Sequence, residues 1–276
     1  KIGFYPDKAI EEFYKSLVIH KQFKSNKNII LMTKLIVFDL DGTLAKSKSP
    51  MDEEMSVLLG KLLEAHSVAV MSGGSYSQYQ KQFLASLHCK KELLKKLYLF
   101  PTCSTAFYRF DNEWKEVYSE KLSKEQKEII LTAFEKALKT TKFNVINPYG
   151  EIIEDRGSQI TFSALGQQAP LELKKEWDPE AKKRLKIKEE LDKYLPEFEV
   201  RVGGSTSIDV TRKGIDKAYG IEQICKLLKF KKEEIVFVGD ALFEGGNDYP
   251  VKSTGVRCIQ VEGPEETKII ITKLIS

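Results

Sequence analysis

The run Leu35, Ile36, Val37, Phe38 constrains this chain more than any other stretch. Consecutive apolar residues rich in β-branched and aromatic side chains predict a short strand covered on both faces, as in a parallel sheet. Two carboxylates follow at i and i+2, Asp39 and Asp41, and then Gly42 and Thr43. Residues two apart at the end of a strand share one face while the backbone stays extended. In open α/β sheets that end is also where ligands bind. Taken alone, the stretch also fits a buried strand closed by a plain Asp-Gly turn, so the rest of the chain must decide.

The same pattern recurs twice. Residues 68–71 form an apolar run that ends in Ser72, Gly73, Gly74 and Ser75. Glycines there let backbone N–H groups approach an anion with a helix amino terminus behind them, although a turn without a ligand fits as well. Residues 235–238 run into Gly239 and Asp240, with Asn247 and Asp248 shortly after Gly245 and Gly246. Lys217 stands just ahead of a predicted helix carrying Tyr219, Ile224, Cys225 and Leu228. After the first strand, Asp52 caps a helix whose apolar stripe is Met55, Leu58, Leu59, Leu62 and Leu63. This alternation predicts an α/β fold, a Rossmann-like parallel sheet core with helices on both faces.

The middle of the chain has a different rhythm. Residues 159–164 alternate, with Ile160, Phe162 and Ala164 on one face, as in an antiparallel sheet covered on one side. Ser123 with Gln126 makes a capping box ahead of Ile129, Ile130, Ala133, Phe134 and Ala137. Asp178-Pro179 starts another helix, carrying Leu185, Leu191, Tyr194 and Leu195. The expected organisation is an extension over 1–31, a first core part over 32–102, an inserted α+β cap domain over 103–210, and a second core part over 211–276. Ile10, Phe13, Tyr14, Leu17 and Val18 give the extension a helical spacing. It is either an upstream segment with no role in catalysis or a docking helix for a partner.

Asp39 and Asp41, Ser72, Lys217, and Gly239-Asp240 with Asn247-Asp248 resemble, in type, order and strand context, the motifs of the haloacid dehalogenase superfamily of phosphotransferases. The insertion is similar to the larger cap of its IIB branch. Within that branch, Ile153-Glu154-Asp155-Arg156, Gly203-Gly204, Ser207-Ile208-Asp209-Val210 and Gly245-Gly246-Asn247-Asp248 resemble strings of the eukaryotic-type phosphomannomutases and related sugar phosphatases. The resemblance implies Mg²⁺-dependent phosphoryl transfer through an aspartyl-phosphate on Asp39. Asp41 would act as acid and base, while Ser72 and Lys217 hold the phosphoryl oxygens. Asp39, Asp240 and the main-chain carbonyl of Asp41 would bind the metal, with Asn247 and Asp248 as ligands or supports. Arg156, Ser207 and Asp209, together with Gly73 and Lys48, would contact the substrate.

The chain also departs from that pattern. Lys48 stands where the family has an arginine, and Gly166-Gln167 where it has a Gly-Arg pair. A mutase must hold a bisphosphorylated sugar in two orientations, which calls for a second site of bidentate cationic donors. The expectation is therefore hydrolysis of a hexose phosphate or similar sugar phosphate, with a phosphomannomutase reaction as the alternative.

Composition narrows the partners. A net charge of +4 over 276 residues, with lysines interspersed among glutamates, offers no nucleic-acid surface. No apolar run reaches the roughly 20 residues of a membrane span. Cys89, Cys103, Cys225 and Cys258 lack metal-binding spacing and suit reduced thiols in the cytoplasm. The expected partner is a small phosphorylated sugar, with a homodimer through the cap left open. His20, His66 and His88 lie outside every motif.

Overall fold

β1 (Leu35–Asp39) is buried along its whole length, as its apolar run requires. The computed structural model describes residues 32–47, 49–144 and 146–276; the helix expected within 1–31, and Lys48, lie outside the described residues. α1 (Glu53–Ala65) begins at Asp52, whose carboxylate accepts the Met55 N–H at 2.8 Å, and it buries Met55, Leu59, Leu62 and Leu63. β2 (Ser67–Met71) pairs parallel with β1, α2 (Tyr76–Gln82) follows, and β3 (Leu97–Phe100) pairs parallel with β2.

β4 (Ala106–Asp111) and β5 (Glu113–Ser119) then extend this sheet in antiparallel fashion. The cap boundary expected at 103 is thereby corrected, since residues 106–119 belong to the core sheet. Like the cap strands, this hairpin is antiparallel and follows the change of rhythm near Pro101, so local pattern does not separate the two.

The cap follows. α3 (Lys124–Thr140) carries the expected Ser123–Gln126 capping box. β6 (Ile153–Asp155), β7 (Ile160–Ser163), α4 (Leu171–Trp177), α5 (Lys182–Tyr194), β8 (Phe198–Gly203) and β9 (Ser207–Arg212) complete it. Its strands form an antiparallel sheet ordered β6-β7-β9-β8. Ile160, Phe162, Ile208 and Val210 pack on Ile130, Phe134, Ile187 and Leu191 to form a separate hydrophobic core. Period-2 alternation sends Thr161, Ser163, Ser207 and Asp209 to the other face, which is buried as well. Leu185 and Tyr194 are exposed rather than part of the α5 stripe. That stripe is led by Arg184, whose guanidinium Nε donates to the buried Asp178 carboxylate at 3.0 Å.

α6 (Lys217–Gln223) returns the chain to the core. β10 (Ile235–Gly239) pairs parallel with β1 on the side away from β2, and β11 (Arg257–Gln260) lies beyond it. α7 (Pro264–Ile275) closes the layer beside α1. The core sheet runs β11-β10-β1-β2-β3-β4-β5. Strand order reverses between β1 and β10, which opens a crevice above their carboxyl ends, the general ligand position of such sheets. No described helix is long and apolar enough to cross a membrane.

Candidate active site

The crevice is built around one buried lysine. Lys217 opens α6, where Asp216 caps the helix by accepting the Tyr219 N–H at 2.9 Å. Its Nζ donates to Asp39 Oδ1 at 2.5 Å and also to Asp248 Oδ1. Lys217, Asp39 and Asp248 are each no more than 2% exposed. Burial works against the lysine's charge, but Asp248 and Asp39 outweigh it and hold the ammonium well above the usual lysine range. Burial drives the Asp39 carboxyl well above the usual carboxylate range, opposed by Lys217 and assisted by Asp248 and Asp240. Removing the lysine would leave two buried carboxylates uncompensated, a change that typically costs about 3–5 kcal/mol.

Asp240 follows β10, and burial, followed by repulsion from Asp248, pushes its carboxyl up to about 6. Gly42 makes room for it. At φ +89°, a Cβ on Gly42 would stand 2.4 Å from Asp240 Oδ2, so a side chain there is excluded by both contact and backbone. Carboxylate oxygens of Asp39, Asp240 and Asp248 lie within 4.8 Å of one another. Asp39 Oδ2 and Asn247 Oδ1 are buried without hydrogen-bond partners, whereas Asp248 Oδ2 accepts the Ala241 N–H at 3.0 Å. A cluster of hard oxygen donors with orphaned acceptors fits a divalent cation. Asp39 and Asp240 have the uncommitted oxygens. Both oxygens of Asp248 already accept hydrogen bonds, one from Lys217 and one from the Ala241 N–H.

Above this cluster stands the loop after β2. The Gly74 N–H donates to Ser72 Oγ at 3.1 Å, and the Ser72 hydroxyl reaches Asp41 Oδ2 at a loose 3.4 Å. Thr102, Cys103 and Ser104, all at positive φ, run beneath it, with the Thr102 N–H donating to the Gly74 carbonyl and the Cys103 N–H to the Ser72 carbonyl. Burial pushes the Cys103 thiol up to about 12, so it faces the cavity as a protonated thiol and not as a nucleophile.

One cavity of about 560 Å³ joins the two domains. From the core, Asp39, Asp41, Ser72, Gly73, Asp240 and Asn247 line it; from the cap, Arg156, Ser207 and Asp209 do so. Lys217 and Asp248 lie directly behind this wall, bonded to Asp39 and Ala241. Of the residues expected in the site, only Lys48 falls outside the described residues. Arg156 donates twice to Glu154 Oε2, at 2.9 and 2.6 Å, and once to the Gly73 carbonyl at 2.7 Å. Asp209 Oδ1 accepts from Thr161 Oγ1 at 2.7 Å and from Gln159 Nε2 at 3.0 Å.

Sequence reasoning missed Gln159, Thr161, Arg184 and Arg201. Thr161 and Arg201 flank Asp209 across the β7–β9 and β8–β9 registers, so an established strand register would have found them. Arg201 and Arg184 line the cavity but are already paired, Arg201 with Glu199 and Asp216 and Arg184 with Asp178.

Comparison with known proteins gives the same picture. The family model for eukaryotic phosphomannomutase matches residues 55–276. The phosphomannomutase of Saccharomyces cerevisiae is 28% identical over 250 residues, spanning 88% of this chain and 94% of that protein. That of Encephalitozoon cuniculi is 28% identical over 245 residues, 84% of this chain and 90% of the relative. Among solved structures, an N-terminally truncated IMP-nucleotidase of Plasmodium falciparum superposes with a TM-score of 0.69 at 21% identity, over 89% of this chain and 71% of that one. A haloacid dehalogenase-like hydrolase from Bacteroides thetaiotaomicron superposes with a TM-score of 0.59 at 16% identity, over 88% of this chain and 99% of its own. These two share the fold, while the family match extends over both core and cap. With a family model matched over most of the core and the whole cap, the chain belongs to the eukaryotic phosphomannomutase family of the haloacid dehalogenase superfamily.

Proposed function

We propose that this chain transfers the phosphoryl group of a phosphorylated hexose through an aspartyl-phosphate on Asp39, in the cytoplasm and with Mg²⁺ as the cation. The observation that carries this reading is the orphaned Asp39 Oδ2, an uncommitted carboxylate oxygen on the wall of the shared cavity, while its twin is held by Lys217. Asp39 would attack phosphorus and divide one difficult displacement into two easier ones. Asp41 would protonate the departing sugar oxygen and later take a proton from the group that accepts the phosphoryl. Ser72 and Lys217 would hold the phosphoryl oxygens, and the loss of such a preorganised donor typically costs about 10²–10³ in rate. Asp39 and Asp240, with the Asp41 carbonyl, would hold the cation, which when bound neutralises the charge crowded among these carboxylates and the phosphate.

The fate of the phosphoryl group separates two readings. Hydrolysis was the first expectation from sequence, but the family match and the relatives named phosphomannomutase favour the mutase reaction, in which the group returns to the other end of the sugar. Hydrolysis stays as the second reading on one specific observation. Arg156, Arg184 and Arg201, which line the cavity from the cap, each already face a carboxylate, and Gln167 stands where a further arginine was expected. Mannose 1-phosphate incubated with the protein, Mg²⁺ and a catalytic amount of hexose bisphosphate, followed by ³¹P NMR, decides between them. Mannose 6-phosphate as product supports the mutase; free mannose with inorganic phosphate supports the hydrolase. The absence of both would remove sugar phosphates as the substrate class.

A further inference from the structure

Gln159 belongs to no motif, yet it is completely buried at the junction of cap and core. Its Nε2 lies 3.1 Å from the Gly73 carbonyl, 2.8 Å from Thr161 Oγ1 and 3.0 Å from Asp209 Oδ1. Thr161 gives its own proton to Asp209, which leaves its oxygen free to accept from Gln159. An amide has two hydrogens, and these acceptors use both. Turning the amide over would set Oε1 against a carbonyl and a carboxylate, so the orientation is fixed by its neighbours. The consequence is that Oε1 is buried with no hydrogen-bond partner. An apolar side chain of the same length would avoid that cost, and a local rule broken in this way is expected where function requires it.

What Gln159 joins gives its role. On the core side is the Gly73–Gly74 peptide. Its carbonyl accepts from Gln159 and Arg156, and its N–H donates to Ser72 Oγ, which in turn reaches Asp41. Linked hydrogen bonds of this kind polarise one another. On the cap side is Asp209, so close to the loop that a Cβ on Gly73 would stand 3.1 Å from its Oδ2.

We propose that Gln159 is a positioning residue that fixes Asp209 against the phosphate-binding loop and thereby couples recognition of the sugar to phosphoryl transfer. The proposal rests on the phosphoryl-transfer reading of the site. The test compares kcat/KM for mannose 1-phosphate and for p-nitrophenyl phosphate in wild type, Gln159→Met and Gln159→Glu, all as the full chain with Mg²⁺. The aryl ester brings no sugar hydroxyl to Asp209, and its leaving group needs little help from an acid. Gln159→Met should lower kcat/KM for the sugar phosphate about 10- to 100-fold more than for the aryl ester. Gln159→Glu should show the same loss at neutral pH and recover part of the ratio as the pH falls and the protonated carboxyl again supplies a donor. Should the methionine variant fail to fold, the isosteric Gln159→Glu carries the test through that pH dependence. A ratio that stays within about threefold of wild type in the folded variants, so that both activities fall in step, would overturn the proposal. Wild-type inactivity toward both esters instead overturns the reading on which it rests.

Discussion

In the core sheet, β1 and β10 are buried on both faces and offer chemistry only at their tips, where Asp39 and Asp240 stand. In the cap sheet, β7 and β9 are covered by helices on one face and turn a polar row, Thr161, Ser163, Ser207 and Asp209, toward the core. On the proposed reading, the same backbone would give a point of reaction in one domain and a surface of selection in the other. In the core, Asp39 and Asp248 share one lysine beside Asp240, and Asp39 Oδ2 keeps an acceptor to spare. In the cap, the cations are already matched, Arg184 by Asp178 and Arg156 by Glu154. A change at the tip should affect every substrate, and a change on the face should affect only those substrates that touch it.

The sharpest way to break this contrast is at Asp39. With Asp39 as the proposed nucleophile, Asp39→Asn should lower turnover of every phosphate ester at least about 10⁴-fold while leaving the thermal unfolding transition in place. Steady-state kinetics beside calorimetry checks both halves. Lys217→Met should lower kcat about 10²–10³-fold and, unlike Asp39→Asn, destabilise the metal-free protein by about 3–5 kcal/mol in denaturant unfolding. Asp209→Asn should cost about 10- to 100-fold in kcat/KM for a sugar phosphate and far less for p-nitrophenyl phosphate. Equal losses would erase the distinction between tip and face.

Proton linkage provides a milder test. The Asp240 carboxyl is raised from 3.8 to about 6, so between those values the folded, metal-free protein keeps a proton that the unfolded chain has released. That contribution to stability is full below the unfolded value and is lost as the pH rises through about 6. If Asp240 holds the cation, binding must displace the same proton, so Mg²⁺ affinity measured by calorimetry should weaken as the pH falls through about 6, by about tenfold per pH unit from this proton. The smallest effect should come from far outside the cavity. Lys268 touches Asp52, Glu54 and Glu265, all of them more than half exposed, and Lys268→Met should change stability by no more than about 1 kcal/mol.

The contrast between the sheets also explains what the sequence made legible. A doubly buried strand is a solid apolar run, and an acid just beyond it stands out, which made Asp39 and Asp240 readable without any fold. The core hairpin β4–β5 is antiparallel like the cap strands, so it was placed in the wrong domain. Arg156, Ser207 and Asp209 were legible through resemblance, carried by the strings Ile153-Glu154-Asp155-Arg156 and Ser207-Ile208-Asp209-Val210. Gln159 was not, because its partners Asp209 and Gly73 lie 50 and 86 residues away and no local pattern records that meeting. The pairing of Arg184 with Asp178 was hidden for another reason. The aliphatic stem of a buried arginine takes the place of an apolar residue in a helix stripe, and Leu185 beside it looked the better candidate.

The central claim is that Asp39 carries the phosphoryl group between substrate and product. Rapid quench with a ³²P-labelled hexose phosphate, followed by borohydride reduction and mass spectrometry of the peptide containing residues 35–43, tests it most directly. Label and reduction product are expected on Asp39, absent in Asp39→Asn and found on no other residue. Full turnover with no labelled aspartate, or label on a side chain outside the β1 tip, would contradict it.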